Sequence, residues 1–308
     1  MHIILAAPRG FCAGVNMAIE TLERVIERCG TPVYVYHEIV HNRWVVERFR
    51  QRGVVFVDRL DEVPEGATLV FSAHGVAPEV RRRARERRVR VVDATCPLVT
   101  KVHREAIRLA RDGYTIVLIG HAGHDEVVGT LGEAPDSIVL VQTVADVDRI
   151  EPPDPFRIAY LTQTTLSVSD AQTIIGRLKE RFPAVVGPPK DDICYATQNR
   201  QTAVRELARE ADLLLVVGSR NSSNSRRLAE IGHAAGVPSH LIDGPNDLRD
   251  EWFAAEQTVL VTAGASAPED VVRQCVGWLE ARFGASVEQR SICDEQVRFS
   301  LPPQLREP

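Results

Sequence analysis

Three cysteines divide the 308-residue chain into stretches of about one small domain each: Cys12 in R-G-F-C-A-G-V, Cys96 in D-A-T-C-P-L-V-T and Cys194 in D-D-I-C-Y-A-T. Pairs of cysteines at zinc-knuckle spacing are absent, which argues against a local structural zinc site. Thiolates gathered from three separate places suit an iron–sulfur cluster, and three rather than four leave one iron open to a substrate. A helical pattern follows each of them, as in Ile19, Leu22, Val25 and Ile26 after Cys12. Each thiol is therefore expected at or near a helix N-terminus, where unpaired N–H groups and the macrodipole favour thiolate. Cys29 and Cys275 fall inside helical patterns and Cys293 in the C-terminal stretch, so packing is the expectation for all three.

Histidines and hydroxyls form the second set. His41 (E-I-V-H-N), His74 (S-A-H-G) and His124 (G-H-A-G-H-D-E) all follow apolar runs, and Glu126 lies two residues beyond His124. Imidazoles can donate to an anion or relay protons near neutral pH, with Glu126 as a general acid and Asp125 turned elsewhere. The segment G-S-R-N-S-S-N-S follows a strand and opens a helix, so Ser222, Ser223, Asn224 and Ser225 offer a cradle for phosphate. Two further tips add Ser266 (T-A-G-A-S-A-P) and Thr164 with Thr165 (T-Q-T-T-L-S). The same residues leave two other readings open. One is a zinc-dependent hydrolase of a phosphorylated metabolite using His121, His124 and Glu126. The other is a non-catalytic iron–sulfur sensor.

Positioning these residues requires a recurring unit of apolar strand, polar loop and amphipathic helix, the mark of parallel sheets with crossover helices. Seven such steps stand out, at 3–10, 33–42, 69–75, 116–124, 158–165, 213–225 and 259–268. The expected fold is α/β, three similar lobes with mostly parallel sheets around a shared centre. The lobes are expected at 14–96, 97–193 and 194–281, with an N-terminal strand in 1–13 and a C-terminal tail in 282–308. Ligands of such sheets bind beyond the carboxyl ends of the strands, where the candidate residues lie. Neither G-x-G-x-x-G nor G-x-x-x-x-G-K-[ST] occurs at these tips, so no dinucleotide or nucleoside-triphosphate site is expected.

Composition narrows the function classes. Acidic residues outnumber basic ones, 42 to 37, for a net charge of -5, which argues against nucleic acid as the partner. Lysine occurs only at 101, 179 and 190, the other basic residues being arginine. The one basic run, R-R-R-A-R-E-R-R at 81–88, reads as a solvated helix face. Apolar runs are too short to span a membrane, and the first residues read as a strand rather than a leader, so the cytoplasm is the expected compartment.

Taken together, G-F-C-A-G-V, H-N-R, S-A-H-G-V, D-A-T-C-P-L-V-T-K-V-H, G-H-A-G-H-x-E-V-x-G-T, T-Q-T-T-L-S-V, D-D-I-C-Y-A-T-x-N-R-Q, V-V-G-S-x-N-S-S-N-S and T-A-G-A-S-A-P resemble the 4-hydroxy-3-methylbut-2-enyl diphosphate reductases. The resemblance runs from Met1 to about residue 280. It implies a trefoil of three α/β domains around a central [4Fe-4S] cluster held by Cys12, Cys96 and Cys194. It also implies reductive loss of the C4 hydroxyl from an allylic diphosphate, the last step of the methylerythritol phosphate route to isoprenoids. His41, His74, His124, Ser222, Ser223, Asn224 and Ser266 then bind the diphosphate, Thr164 lies near the hydroxyl, and Glu126 supplies the proton. Electrons are expected from a small carrier such as ferredoxin or flavodoxin.

Overall fold

The computed structural model describes residues 1–306. In chain order the elements begin β1 (His2–Ala7), α1 (Ala13–Cys29), β2 (Val33–Tyr36), α2 (Arg43–Gln51), β3 (Val54–Val57), β4 (Thr68–Phe71), α3 (Pro78–Glu86), β5 (Arg90–Asp93) and α4 (Pro97–Arg111). They continue as β6 (Thr115–Ile119), α5 (Asp125–Glu133), β7 (Ile138–Val141), α6 (Val144–Val147), β8 (Ile158–Thr162), α7 (Val168–Arg181), α8 (Tyr195–Leu207) and β9 (Leu213–Val217). Last come α9 (Ser223–Ala234), β10 (Ser239–Ile242), β11 (Thr258–Ala263), α10 (Glu269–Phe283) and β12 (Ser286–Ser291).

These strands make three parallel sheets, ordered β10-β9-β11-β1-β12, β3-β2-β4-β5 and β7-β6-β8. The α/β class expected from the strand–loop–helix repeat is the one the chain adopts. Its apolar runs are strands because both faces are covered. In β9, Leu213, Leu215 and Val217 pack with Val271, Val272 and Leu279 of α10. Leu214 and Val216 of the same strand pack with Val204 and Leu207 of α8 and Leu228 of α9. The three-stranded sheet repeats the pattern. Val117 and Ile119 face Ile174 and Leu178 of α7, while Ile116 and Leu118 face Val102 and Leu109 of α4. Fully burying one such side chain stabilises the fold by roughly 1.5–3 kcal/mol.

Two compact units result. The first comprises Met1–Asn16, Val40–Gln51 and Tyr195–Arg298 and holds the five-stranded sheet. The second comprises Met17–Ile39, Arg52–Cys194 and the residues from Phe299 on, and holds the other two sheets. Among the described residues no helix is long and apolar enough to cross a membrane.

Candidate functional site

In the first unit the tips of β9 and β11 meet in a cradle of hydroxyl and amide groups. Ser222 caps α9, its hydroxyl accepting from the Ser225 N–H at 3.3 Å and from Ser225 Oγ at 3.0 Å. Ser266 Oγ donates to the His41 carbonyl at 2.9 Å and lies 3.5 Å from Ser222 Oγ. Asn224 Oδ1 accepts the Ala265 N–H at 2.9 Å. Ser222, Ser223, Asn224 and Ser266 are all buried, and Ser223 Oγ has no hydrogen-bond partner in the protein. A buried hydroxyl without a partner is costly, and other buried polar atoms such as Thr21 Oγ1 and Thr262 Oγ1 share that condition. Closeness is built in at Gly264, where a Cβ would fall inside the Ser225 side chain.

Cys12 belongs to this same unit. Its N–H donates to the Ala265 carbonyl at 3.1 Å and that of Gly10 to Ala263 at 3.3 Å, so the cysteine loop is laced to the loop carrying Ser266. Arg200 of α8, wholly buried, donates to the Gly10 carbonyl at 2.7 Å and pairs with Glu295 at 2.9 Å. Asn42, the residue after His41, caps the following helix, its side chain accepting the Val45 N–H at 3.1 Å.

The second unit carries a string of titratable groups. Glu126, in the first turn of α5, is buried, and its carboxylate accepts the Thr164 N–H at 2.7 Å and the Thr164 hydroxyl at 2.8 Å. Thr164 in turn accepts the Cys194 N–H on its carbonyl at 3.0 Å. His124 caps α5, its Nδ1 accepting the Glu126 N–H at 3.2 Å, and its ring stands edge-on to His74 with centroids 5.9 Å apart. His74 sits in the S-A-H-G turn, which needs glycine because Gly75 has φ +76° and a Cβ there would press on Thr95 and His103. The Cys96 N–H donates to Ala73 at 2.9 Å, which places this thiol beside the same turn and at the N-cap of α4.

Within each unit, then, the residues picked out by sequence come together. Ser222, Ser223, Asn224, Ser266, His41 and Cys12 do so in the first, and His74, His124, Glu126, Thr164, Cys96 and Cys194 in the second. The LytB protein family model matches residues 3–280 of this chain. The chain belongs to the LytB family. It is 60% identical over 306 residues to the 4-hydroxy-3-methylbut-2-enyl diphosphate reductase of Rhodopirellula baltica, covering 99% of this chain and 96% of that relative. With the same enzyme of an Azoarcus species the identity is 53%, covering 99% and 98%. The solved E-1-hydroxy-2-methyl-but-2-enyl-4-diphosphate reductase from Plasmodium falciparum superposes with a TM-score of 0.95 at 38% identity, over 99% of this chain and 96% of that one.

Membership of LytB removes the support for the hydrolase and sensor readings. Geometry weakens the first as well, since both oxygens of Glu126 are occupied by Thr164. Of the remaining thiols of this LytB chain only Cys275 is a buried packing residue, while Cys293 is half-buried and Cys29, expected to pack, is exposed. Burial pushes the Cys275 thiol up to about 12 and raises that of Cys293, while Cys29 ends α1 exposed.

Three features depart from or add to the sequence reading. Asp125 does not turn elsewhere. It accepts from His37 Nδ1 at 2.8 Å and lies 3.9 Å from His74 Nδ1. His37 itself, at φ +58° and stacked on Tyr36 at 4.3 Å, has a raised pKa because of that hydrogen bond. Asp192 is buried and joins Lys101 at 3.0 Å to the Thr162 N–H at 3.1 Å. The scarcity of lysine was the available signal for Lys101. Arg200 stands in the D-D-I-C-Y-A-T-x-N-R-Q motif, which marks the position but not its buried pairing with Glu295.

Proposed function

We propose that the chain removes the C4 hydroxyl of (E)-4-hydroxy-3-methylbut-2-enyl diphosphate reductively, giving isopentenyl and dimethylallyl diphosphates, the last step of the non-mevalonate route. The relatives' names support the reaction, and one local arrangement supports its chemistry. Thr164 is hydrogen-bonded through its N–H and hydroxyl to a buried carboxylate and through its carbonyl to the backbone of Cys194. A proton source and a thiol are thereby tied to one residue.

The donor set fits a [4Fe-4S] cluster held by Cys12, Cys96 and Cys194. All three thiols precede or cap a helix N-terminus and have their own N–H groups pinned to neighbouring loops. Such a cluster, when bound, supplies an open iron as Lewis acid to the substrate hydroxyl and a route for single electrons. The chain supplies the rest. Glu126 delivers a proton to the departing oxygen, and Thr164 fixes the direction in which its carboxyl points. Ser222, Ser223, Asn224 and Ser266 donate to the diphosphate, as do His41, His74 and His124. With neutral donors in the majority, the diphosphate is recognised by geometry as much as by charge. The electrons come from a small carrier such as ferredoxin or flavodoxin, in the cytoplasm.

Anaerobic purification with iron and sulfide analysis, followed by turnover with a reduced dye, tests this reading. The expected protein is brown and active, and replacing Cys12, Cys96 or Cys194 by Ser removes most of the iron. Cys29→Ala, Cys275→Ala and Cys293→Ala retain it. Full iron content in Cys194→Ser would overturn the ligand set, and an iron-loaded protein inert toward the allylic diphosphate would overturn the reaction.

A further inference from the structure

Lysine is rare in this chain, at 101, 179 and 190 against a large excess of arginine, and one of the three makes three hydrogen bonds to a single segment. Lys101 lies on α4, whose N-cap is Cys96. Its ammonium donates to the Lys190 carbonyl at 2.6 Å, to the Asp191 carbonyl at 3.2 Å and to Asp192 Oδ1 at 3.0 Å. An ammonium has three donors that can diverge onto three separate oxygens, whereas a guanidinium holds its donors in one plane. The other oxygen of Asp192 accepts the Thr162 N–H at 3.1 Å, at the end of β8. Two residues further on, the N–H of Cys194 is bonded to Thr164 on that same strand tip. Between Gly187 and Cys194 the chain forms no helix or strand, so backbone hydrogen bonds of regular structure do not order it.

We propose that Lys101 is a positioning residue that clamps the segment before Cys194 onto the helix that carries Cys96. The two thiols lie far apart in sequence, and an irregular loop holds its shape only as well as its few contacts allow. Three of those contacts end on one ammonium. Asp192 is the hinge of the clamp, since its side chain is fully buried and joins Lys101 to β8. The consequence for metal binding rests on the cluster reading above, because two ligands held at fixed separation bind a rigid group more tightly than two on a loose loop.

The test uses Lys101→Met, which keeps the apolar stem, Lys101→Arg, and the double variant Lys101→Met with Asp192→Asn. Hydrogen exchange on the metal-free full-length protein reports the clamp independently of any cluster. Amides 190–194 should exchange about tenfold faster or more in Lys101→Met, with Lys101→Arg close to it. Loss of iron from reconstituted protein to a chelator should be faster in both. Leaving Asp192 unpaired and buried also lowers global stability, and the double variant removes that charge. It should regain thermal stability while amides 190–194 and iron remain labile. Wild-type exchange and iron retention in Lys101→Met would overturn the proposal. So would a double variant that recovers both, since Lys101 would then serve only to neutralise Asp192. A wild-type protein that takes up no iron overturns the cluster reading instead, with the exchange data still deciding the clamp.

Discussion

The cradle of the first unit and the network of the second solve different problems with different side chains. Around Ser222, Ser223, Asn224 and Ser266 the donors are neutral, buried and fixed by a helix cap and by glycines that bring loops close. Around Glu126 the groups can change their proton count: a carboxylate, the His74 and His124 rings, and Asp125 with His37 beyond them. A neutral donor binds an anion with the same strength across the physiological range, whereas chemistry that moves a proton requires a group that titrates. Under the proposed function, the difference teaches that binding and proton delivery should be open to separate damage.

The largest separation should come from Glu126→Gln. A general acid contributes about 10²- to 10⁴-fold, so kcat should fall by that order while KM and iron content stay near wild type. Asp125→Asn, one residue away, should cost less, because its carboxylate meets His37 and approaches His74 rather than Thr164. If Asp125→Asn proved the more damaging change at equal iron content, the proton source would have to be reassigned by one residue.

How far these roles could be read without coordinates depended on burial. The strands of the seven recognised steps are β1, β2, β4, β6, β8, β9 and β11, mostly interior strands, whose continuous apolar runs follow from covered faces. The five that sequence does not single out, β3, β5, β7, β10 and β12, are all edge strands. Composition explains β12, whose S-V-E-Q-R-S is almost wholly exposed, but not β3 (V-V-F-V) or β7 (I-V-L-V), which are apolar and were missed because no polar tip of interest follows them. Site residues were legible where a motif combined polar types that packing alone does not need, as in G-S-R-N-S-S-N-S. The roles of Asp125, Asp192 and Arg200 were not, although Asp192 and Arg200 stand inside the quoted D-D-I-C-Y-A-T-x-N-R-Q motif, because a carboxylate or guanidinium on a helix or loop does not name its partner. Only the partners brought to it by the fold give it a role, namely His37, Lys101 and the Gly10 carbonyl.

A smaller effect should sharpen the binding side of the comparison. Asn224 already serves the Ala265 N–H, so its removal mixes loop support with anion binding. Ser223 Oγ makes no hydrogen bond within the protein, so Ser223→Ala deletes a donor without breaking an internal hydrogen bond. Thermal stability should equal or exceed that of wild type, because the hydroxyl removed is buried and unpaired. A hydrogen bond to a charged group is worth roughly 1.5–3 kcal/mol, so kcat/KM for the diphosphate should fall about 10- to 150-fold. The bare alcohol lacking its diphosphate should show little change. Equal losses on both substrates would mean that Ser223 shapes the loop rather than holding the anion.

The smallest effect concerns His37 and separates the two regions by pH. Its pKa is raised above 6.5 mainly by the hydrogen bond to Asp125, with Asp58 and Glu38 adding attraction and burial opposing. His74 shares Asp125 at the longer distance of 3.9 Å. A histidine whose folded value exceeds its unfolded one binds its proton more tightly in the native state. Its stabilisation is therefore complete below about 6.5 and disappears as pH climbs through the raised value. A half-exposed pair of this kind contributes on the order of 0.2–1 kcal/mol. Melting curves of wild type and His37→Gln should thus differ most in mildly acidic buffer and converge above the window, since glutamine does not titrate. Ser223→Ala, measured alongside, should show an offset from wild type that is independent of pH. A constant gap between wild type and His37→Gln from acid to alkaline buffer would show that the imidazole acts through its stacking on Tyr36 and not through its charge on Asp125.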